Sequence, residues 1–128
     1  MFDTSIQNAT IKSTSLGYED HGILVTWVNL SWDGGGVGFG GNALDEVVFN
    51  KQGEFLKREG HAFGMEFICQ VLKTVGVDTW EKLPGTPVRV EFDADGGLGS
   101  TCIGLGHFLK DKWFHPKELA KQYFPDKE

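Results

Sequence analysis

A glycine-rich segment at residues 34 to 41 constrains this chain more than any other part of its sequence. Six of its residues are glycine, and only Val37 and Phe39 interrupt them. Glycine has no Cβ atom, so its backbone adopts left-handed dihedral angles readily and lets another group approach closely. A neighbouring helix, a ligand and a partner surface are the three candidates for that group.

The residues on either side of Asp33 predict a β-hairpin. Residues 23 to 32 are rich in β-branched and aromatic side chains, which is typical of a central strand. After Asp33, Val37 and Phe39 point one way and glycines point the other way, which predicts an antiparallel strand with one bare face. Because Gly64 lies in the apolar stripe of a later helix, we predict that the bare face packs against that helix.

Residues 36 to 41 also match the G-x-G-x-x-G spacing of dinucleotide-binding loops. That motif needs a preceding strand, a helix that opens at its last glycine, and an acidic residue about 20 positions later. No long amphipathic pattern follows Gly41, and no Gly-Lys-Ser/Thr follows the glycines. The sequence therefore favours a packing role over phosphate binding.

One long amphipathic helix is predicted at residues 61 to 76, and Gly76 is suited to end it as a C-terminal cap. The apolar stripe of this helix comprises Gly64, Phe67, Ile68, Val71, Leu72 and Val75. A shorter helix is predicted at residues 116 to 124, where proline occupies the first position.

Alternation of apolar and polar residues predicts further strands at residues 9 to 16, 88 to 93 and 101 to 108. A turn at residues 95 to 97 would join the last two strands as a hairpin. Together these elements predict an α+β fold. Its antiparallel, mostly meander-connected sheet has about five strands, with the main helix packed on one face and the short helix at the C-terminus.

The remaining segments have weaker patterns. Residues 17 to 22 and 50 to 53 predict turns, and residues 54 to 58 a polar connection. Residues 42 to 49 fit either a helical turn or a loop that leads into a strand at 46 to 49. Residues 78 to 81 have the spacing of a capping box, in which Asp78 would cap one short turn.

Length and charge limit the classes of function. A chain of 128 residues suffices for a single domain, and residues 1 to 8 and 125 to 128 are expected to fray. Twelve Lys and Arg residues against 18 Asp and Glu residues give a net charge of −6, which disfavours direct binding to nucleic acid. No apolar run approaches the length of a membrane span, and the N-terminus lacks a signal-peptide pattern. We therefore expect a cytoplasmic protein without membrane contact.

Cysteine and histidine patterns indicate neither a disulfide framework nor a metal site. Cys69 and Cys102 lie among apolar residues without C-x-x-C spacing, so free, buried thiols in a reducing compartment are expected. The four histidines match no metal-binding spacing. We therefore expect no metal, no cofactor and no catalytic residue that spacing alone reveals.

The segment Tyr18, Glu19, Asp20 and His21 places two carboxylates and an imidazole together. A histidine beside an acid can act as an oriented general base or as one arm of a metal site. The alternative, which we favour, is a turn in which Asp20 binds the local backbone. An enzyme that uses Asp20 and His21 is the minority hypothesis.

A second candidate segment combines cations with large aromatic residues at Lys110, Lys112, Trp113 and Phe114. Such residues are frequent in binding hot spots, but the two aromatic residues could equally close the core. Both alternatives stay open. The complete set of candidate binding residues comprises Tyr18, Glu19, Asp20, His21, Phe39, Asn42, Asp45, Lys110, Lys112 and Trp113.

Several of these segments are similar to a group of small bacteriophage and prophage proteins. The resemblance spans about residues 10 to 115 and rests on residues 16 to 24, 38 to 45, 64 to 67, 75 to 81 and 103 to 114. It implies a small accessory protein that binds and inhibits a host factor, such as a component of an antiviral defence system, in the manner of an anti-CRISPR protein.

Two alternatives accompany the inhibitor hypothesis. The glycine strand and the Tyr18 to His21 loop could line a pocket for a nucleotide or similar small anion. The enzyme hypothesis with Asp20 and His21 comes third. Both a monomer and a homo-oligomer fit the sequence.

Overall fold

Six strands form one antiparallel sheet in the computed structural model, which describes residues 5 to 93 and 101 to 125. In chain order the strands of the described residues are β1 (Ser5–Glu19), β2 (Ile23–Trp32), β3 (Gly35–Ala43), β4 (Asp45–Phe49), β5 (Phe55–Gly60), β6 (Pro87–Phe92), β7 (Cys102–His107) and β8 (Trp113–Phe114). The large sheet has the order β3-β2-β1-β6-β7-β8, and β4 and β5 form a separate hairpin. The helices are α1 (Ala62–Val75) and α2 (Pro116–Tyr123).

The predicted α+β class is confirmed, with one main helix and one short C-terminal helix. Consecutive strands pair as a meander on both halves of the large sheet, β1 to β3 and β6 to β8. The sheet has six described strands rather than about five. The pairing of β1 with β6 joins its two halves.

The hairpin between β1 and β2 closes through a tight turn. The Ile23 N–H donates to the Asp20 carbonyl oxygen, and the two residues between them, His21 and Gly22, have φ angles of 62° and 75°. Left-handed dihedrals at both central positions define a type I′ turn, whose twist matches that of the flanking strands. The predicted turn at residues 17 to 22 is thus shorter than expected, because β1 continues through Gly17 to Glu19.

The glycine face of β3 does not pack against α1, so that prediction was wrong. A Cβ atom on Gly38 would lie 3.0 Å from the Trp27 ring, and one on Gly41 would overlap the same ring. The bare surface therefore accommodates an indole from the neighbouring strand. Gly64 instead meets the backbone of Leu44, because a Cβ atom at Gly64 would overlap the Leu44 carbonyl.

A polar connection was expected at residues 54 to 58, but all of this segment except Glu54 belongs to β5. This strand pairs with β4, which resolves the open alternatives for residues 42 to 49 in favour of a strand from Asp45 onward. The β4–β5 hairpin has no continuous buried face, since most of its residues are exposed or half-buried. Alternating hydrophobicity, which marks a strand on a core, is therefore weak here.

Helix α1 has the caps that define its ends. The Gly64 N–H donates to His61 Nδ1 over 3.1 Å at the N-terminus, and Gly76 ends the helix with φ 91°. Its buried face centres on Phe67, whose ring lies 5.0 Å from that of Phe114 on β8 and 6.0 Å from that of Phe39 on β3. These aromatic contacts tie α1 to both ends of the large sheet.

Four further expectations differ from the structure or lie outside it. Ser5 to Asn8 pair with β6 instead of fraying. Asp78 does not cap the short turn that follows α1; its carboxylate pairs with Lys82 Nζ at 2.9 Å. The turn predicted at residues 95 to 97 and the tail from residue 126 lie outside the described residues.

Candidate functional site

The predicted loop of Tyr18, Glu19, Asp20 and His21 lies at the tip of the β1–β2 hairpin. All four residues are exposed, and the Tyr18 side chain is 73% exposed. Trp27 Nε1 donates to Glu19 Oε1 over 3.5 Å. Among the described residues, His21 has no hydrogen-bonding partner, which leaves the enzyme hypothesis without a base oriented by an acid. The tip instead offers an exposed tyrosine beside three polar side chains.

Phe39, Asn42 and Asp45 lie at the end of β3 and the start of β4, and two of them belong to the interior. Phe39 is 2% exposed and Asp45 is 5% exposed. Asn42 is half-buried. Phe39 and Asp45 therefore serve the fold rather than an exposed binding surface. They were expected to meet the Tyr18 to His21 loop, but the start of β2 lies between, since Leu24 pairs with Tyr18 and bonds to Asp45.

Asp45 holds the base of the β4–β5 hairpin. Its two carboxylate oxygens accept hydrogen bonds from Arg58, Nε at 3.1 Å and Nη2 at 2.7 Å, and Oδ1 also accepts from the Leu24 N–H at 3.2 Å. The hydrogen bond from Arg58 is the main cause that lowers the pKa of Asp45. This bidentate pair joins β4 to β5 at the base of the hairpin, and the hydrogen bond from the Leu24 N–H ties that base to the start of β2.

Lys110, Lys112 and Trp113 lie at the turn between β7 and β8, so the structure does not join them with the β1–β2 tip. Arg89 stabilises this turn by donating to the carbonyl oxygens of His107 and Lys110, each over 2.8 Å. The Lys112 ammonium donates to the Lys73 carbonyl oxygen at the end of α1. The ten candidate residues thus lie in three separate places: four at the β1–β2 tip, three in β3 and β4, where Phe39 and Asp45 are buried, and three at the β7–β8 turn.

Trp113 is half-buried, and its ring lies across β7. The Arg89 guanidinium lies 4.8 Å from the centre of its ring, close enough for a cation–π interaction. A Cβ atom on Gly106 would meet the indole, so this glycine allows the ring to lie flat on the strand. Phe114 is buried and closes the core. Of the two alternatives for this segment, closure of the core applies to Phe114, whereas Trp113 stays half-exposed.

His115 repeats this arrangement two residues after Trp113. Its ring lies over Gly104, and its Nε2 is 2.7 Å from Glu91 Oε1. The imidazole also borders a cleft of about 720 Å³ between β3, β7 and α2. The residues that line this cleft include Phe39, Asn42, Cys102, His115, Lys117 and Ala120. Sequence spacing did not reveal the cleft, because its walls come from three distant segments.

Cys102 lines this cleft without the properties of a nucleophile. Burial raises the pKa of its thiol to about 11, so the thiol stays neutral at physiological pH. Cys69 and Cys102 are both free and half-buried, whereas fully buried thiols were expected. Across the described part of the chain, no group of three His, Cys, Asp or Glu residues is placed to hold a metal ion.

The tip of the β4–β5 hairpin exposes three large apolar side chains that sequence analysis missed. Phe49, Phe55 and Leu56 are 61%, 62% and 56% exposed, and Phe49 pairs with Phe55 across the hairpin. The turn between them is ordered by Asn50, whose Oδ1 accepts from the N–H groups of Gln52 and Glu54, each at 2.9 Å. The sequence feature that could have revealed this tip is the pair of phenylalanines that flank the polar turn.

Comparisons with known proteins give no relative for this chain: no family model matches it, and neither a curated protein nor a solved structure does. In the ranges 5 to 93 and 101 to 125, no helix is long and apolar enough to cross a membrane.

Proposed function

We propose that this protein acts by binding another protein, and that it inhibits a host factor such as a component of an antiviral defence system. The observation that carries this proposal is the exposed apolar tip of the β4–β5 hairpin, formed by Phe49, Phe55 and Leu56. Burial of one such side chain in an interface is worth about 1.5–3 kcal/mol. Large apolar residues exposed together frequently mark a binding site.

The base of the hairpin supports this role because it limits the motion of the tip. The Asp45–Arg58 pair and the hydrogen bond from Leu24 fix the first residues of β4. Asn50 orders the turn at the other end. A rigid tip loses less conformational entropy on binding than a mobile loop would, so more of its burial energy contributes to affinity.

The resemblance to phage proteins and the overall charge support the choice of partner. A net charge of −6 complements a basic surface, including that of a host protein that itself binds nucleic acid. Such a partner places the inhibitor in the cytoplasm of an infected cell. Tyr18 at the β1–β2 tip and Trp113 at the β7–β8 edge are further side chains that a partner can contact.

The test is capture of a host protein by the tagged chain, followed by affinity measurement on hairpin variants. We expect the double variant Phe49→Ala/Phe55→Ala to bind the captured protein at least about 10-fold more weakly, because it truncates two aromatic side chains that the interface would bury. Ile6→Ala is the matched control, since Ile6 is 54% exposed on β1, outside the β4–β5 hairpin and the β7–β8 turn. Recovery of no partner, or unchanged affinity of the double variant, would contradict the proposal.

A small-ligand module is the second candidate, and the cleft of about 720 Å³ favours it. Its walls combine apolar side chains with the polar groups of Asn42, His115 and Lys117, a mixture typical of ligand sites. The sequence predicted a pocket lined by the glycine strand and the Tyr18 to His21 loop. Tyr18 to His21 do not line this cleft, so the ligand site we propose lies between β3, β7 and α2 instead. A nucleotide or similar anion would contact Lys117, in a lining that also includes the carboxylates of Asp93 and Glu118.

Thermal unfolding with a panel of nucleotides and small anions tests the ligand candidate. A ligand present at 100 times its dissociation constant is expected to stabilise the fold by about 2.7 kcal/mol. The shift should decrease in Lys117→Ala and persist in Lys121→Ala, which removes a lysine of α2 that does not line the cleft. If no compound raises the melting temperature, the candidate is rejected.

A further inference from the structure

The second half of β1 is an open sheet edge. Residues 13 to 19 pair with β2 on one side, whereas β6 pairs only with Ser5 to Thr10 on the other. Chain segment 85 to 86 extends this second side as far as Ile11. Within the described ranges, no strand pairs with the outer edge from Lys12 to Glu19.

Such an edge presents unpaired backbone groups that can pair with another strand. Eight residues span about 26 Å at 3.3 Å per residue, which is long for an uncovered edge. Leu16 is 51% exposed and Tyr18 is 73% exposed, so the edge also carries apolar side chains. The usual protections are confined to its first residues, where Lys12 lies in a β-bulge between Ile11 and Ser13 and the Trp80 indole N–H donates to Thr14 Oγ1 over 3.1 Å.

We propose that this edge pairs with the same edge of a second copy, in an antiparallel arrangement that extends the large sheet across a two-fold axis. A two-fold axis perpendicular to an antiparallel pair requires one residue to face its own copy. Leu16 is that residue. The proposal does not depend on the host-factor hypothesis, because it uses β1 rather than the β4–β5 hairpin.

Charge complementarity selects this register. With Leu16 at the centre, Lys12 faces Asp20 of the partner subunit, the residue that begins the turn directly after β1, and the reciprocal pair forms on the other side of the axis. Both residues are exposed, so each ammonium and carboxylate is accessible. Thr14 faces Tyr18 of the partner subunit, and these residues share one face of the sheet with Leu16. The edge is thus self-complementary in backbone, apolar contact and charge.

Sedimentation velocity over a range of concentrations tests the proposal. We expect the mass of the wild-type protein to rise from 14.2 kDa toward twice that value as concentration increases. Leu16→Lys places two ammonium groups opposite each other at the axis, and we expect it to weaken dimerisation at least 10-fold. Leu109→Lys introduces the same change at an exposed site away from the edge and should dimerise like the wild type.

Charge reversal gives an independent check of the register. Lys12→Asp and Asp20→Lys should each weaken the dimer, and the combined variant should restore it, because the two opposite pairs reform in reverse order. Amide hydrogen exchange adds a readout that does not depend on substitution: protection of residues 12 to 19 should increase with protein concentration. A wild-type protein that stays monomeric, unchanged dimerisation of Leu16→Lys, or concentration-independent exchange would overturn the proposal.

Discussion

Replacement of Gly64 by alanine is expected to lower the free energy of unfolding by about 3 kcal/mol, the upper part of the range for overpacked interiors. The added Cβ atom would overlap the carbonyl group of Leu44, and backbone cannot move aside as a flexible side chain can. The intrinsic preference of a helix for alanine over glycine, about 1 kcal/mol, opposes this effect but is smaller. Urea unfolding followed by circular dichroism measures the difference.

Two other glycine substitutions serve as comparisons. Gly60→Ala should leave stability nearly unchanged, because no atom lies within 4 Å of the added Cβ. Gly38→Val should cost less than Gly64→Ala, because it meets the half-exposed Trp27 ring, which can shift. If Gly64→Ala were as stable as the wild type, the close approach between α1 and the β3–β4 connection would be disproved.

Replacement of Asp45 by alanine is expected to destabilise the protein by about 2 kcal/mol, within the range for lost hydrogen bonds to a charged group. Three hydrogen bonds end at this carboxylate, and its side chain is almost completely buried. The Arg58 guanidinium and the Leu24 N–H would both lose their acceptor. Glu46→Ala, at the adjacent exposed position of β4, is the matched control and should change stability by less than about 0.5 kcal/mol.

The ionisation of Asp45 also predicts a pH dependence with a defined sign. The folded-state pKa of Asp45 lies below 3.8, the ordinary value for an aspartate, so the carboxylate stabilises the fold above that pH. The contribution is lost as the pH falls through the folded-state pKa, where Asp45 takes up a proton. The stability difference between the wild type and Asp45→Asn should therefore shrink in strong acid. A difference that stays constant from neutral pH to strong acid would contradict this account.

Part of the candidate site followed from sequence. Asp20 and His21 lie in an exposed turn, as the favoured alternative for this segment predicted, whereas Tyr18 and Glu19 belong to the end of β1. The sequence also predicts Phe39 and Asp45 as binding residues, but their burial reflects packing against α1 and pairing with Arg58, two contacts that are distant in sequence. The apolar tip at Phe49 and Phe55 went unnoticed because an exposed hairpin lacks the alternation that buried strands show.

The sequence alone determined the elements whose cause is local. Strand β2 follows from its apolar and β-branched residues, and α1 follows from helical periodicity and the cap at Gly76. Tertiary structure decided which surfaces meet and which remain open. The glycine segment shows the difference. Its composition required a close neighbour, but only the tertiary structure determined that Gly38 contacts the Trp27 ring and that Gly64 contacts the Leu44 backbone. The free edge of β1 likewise depends on where β6 ends, a property of strand pairing that no local pattern encodes.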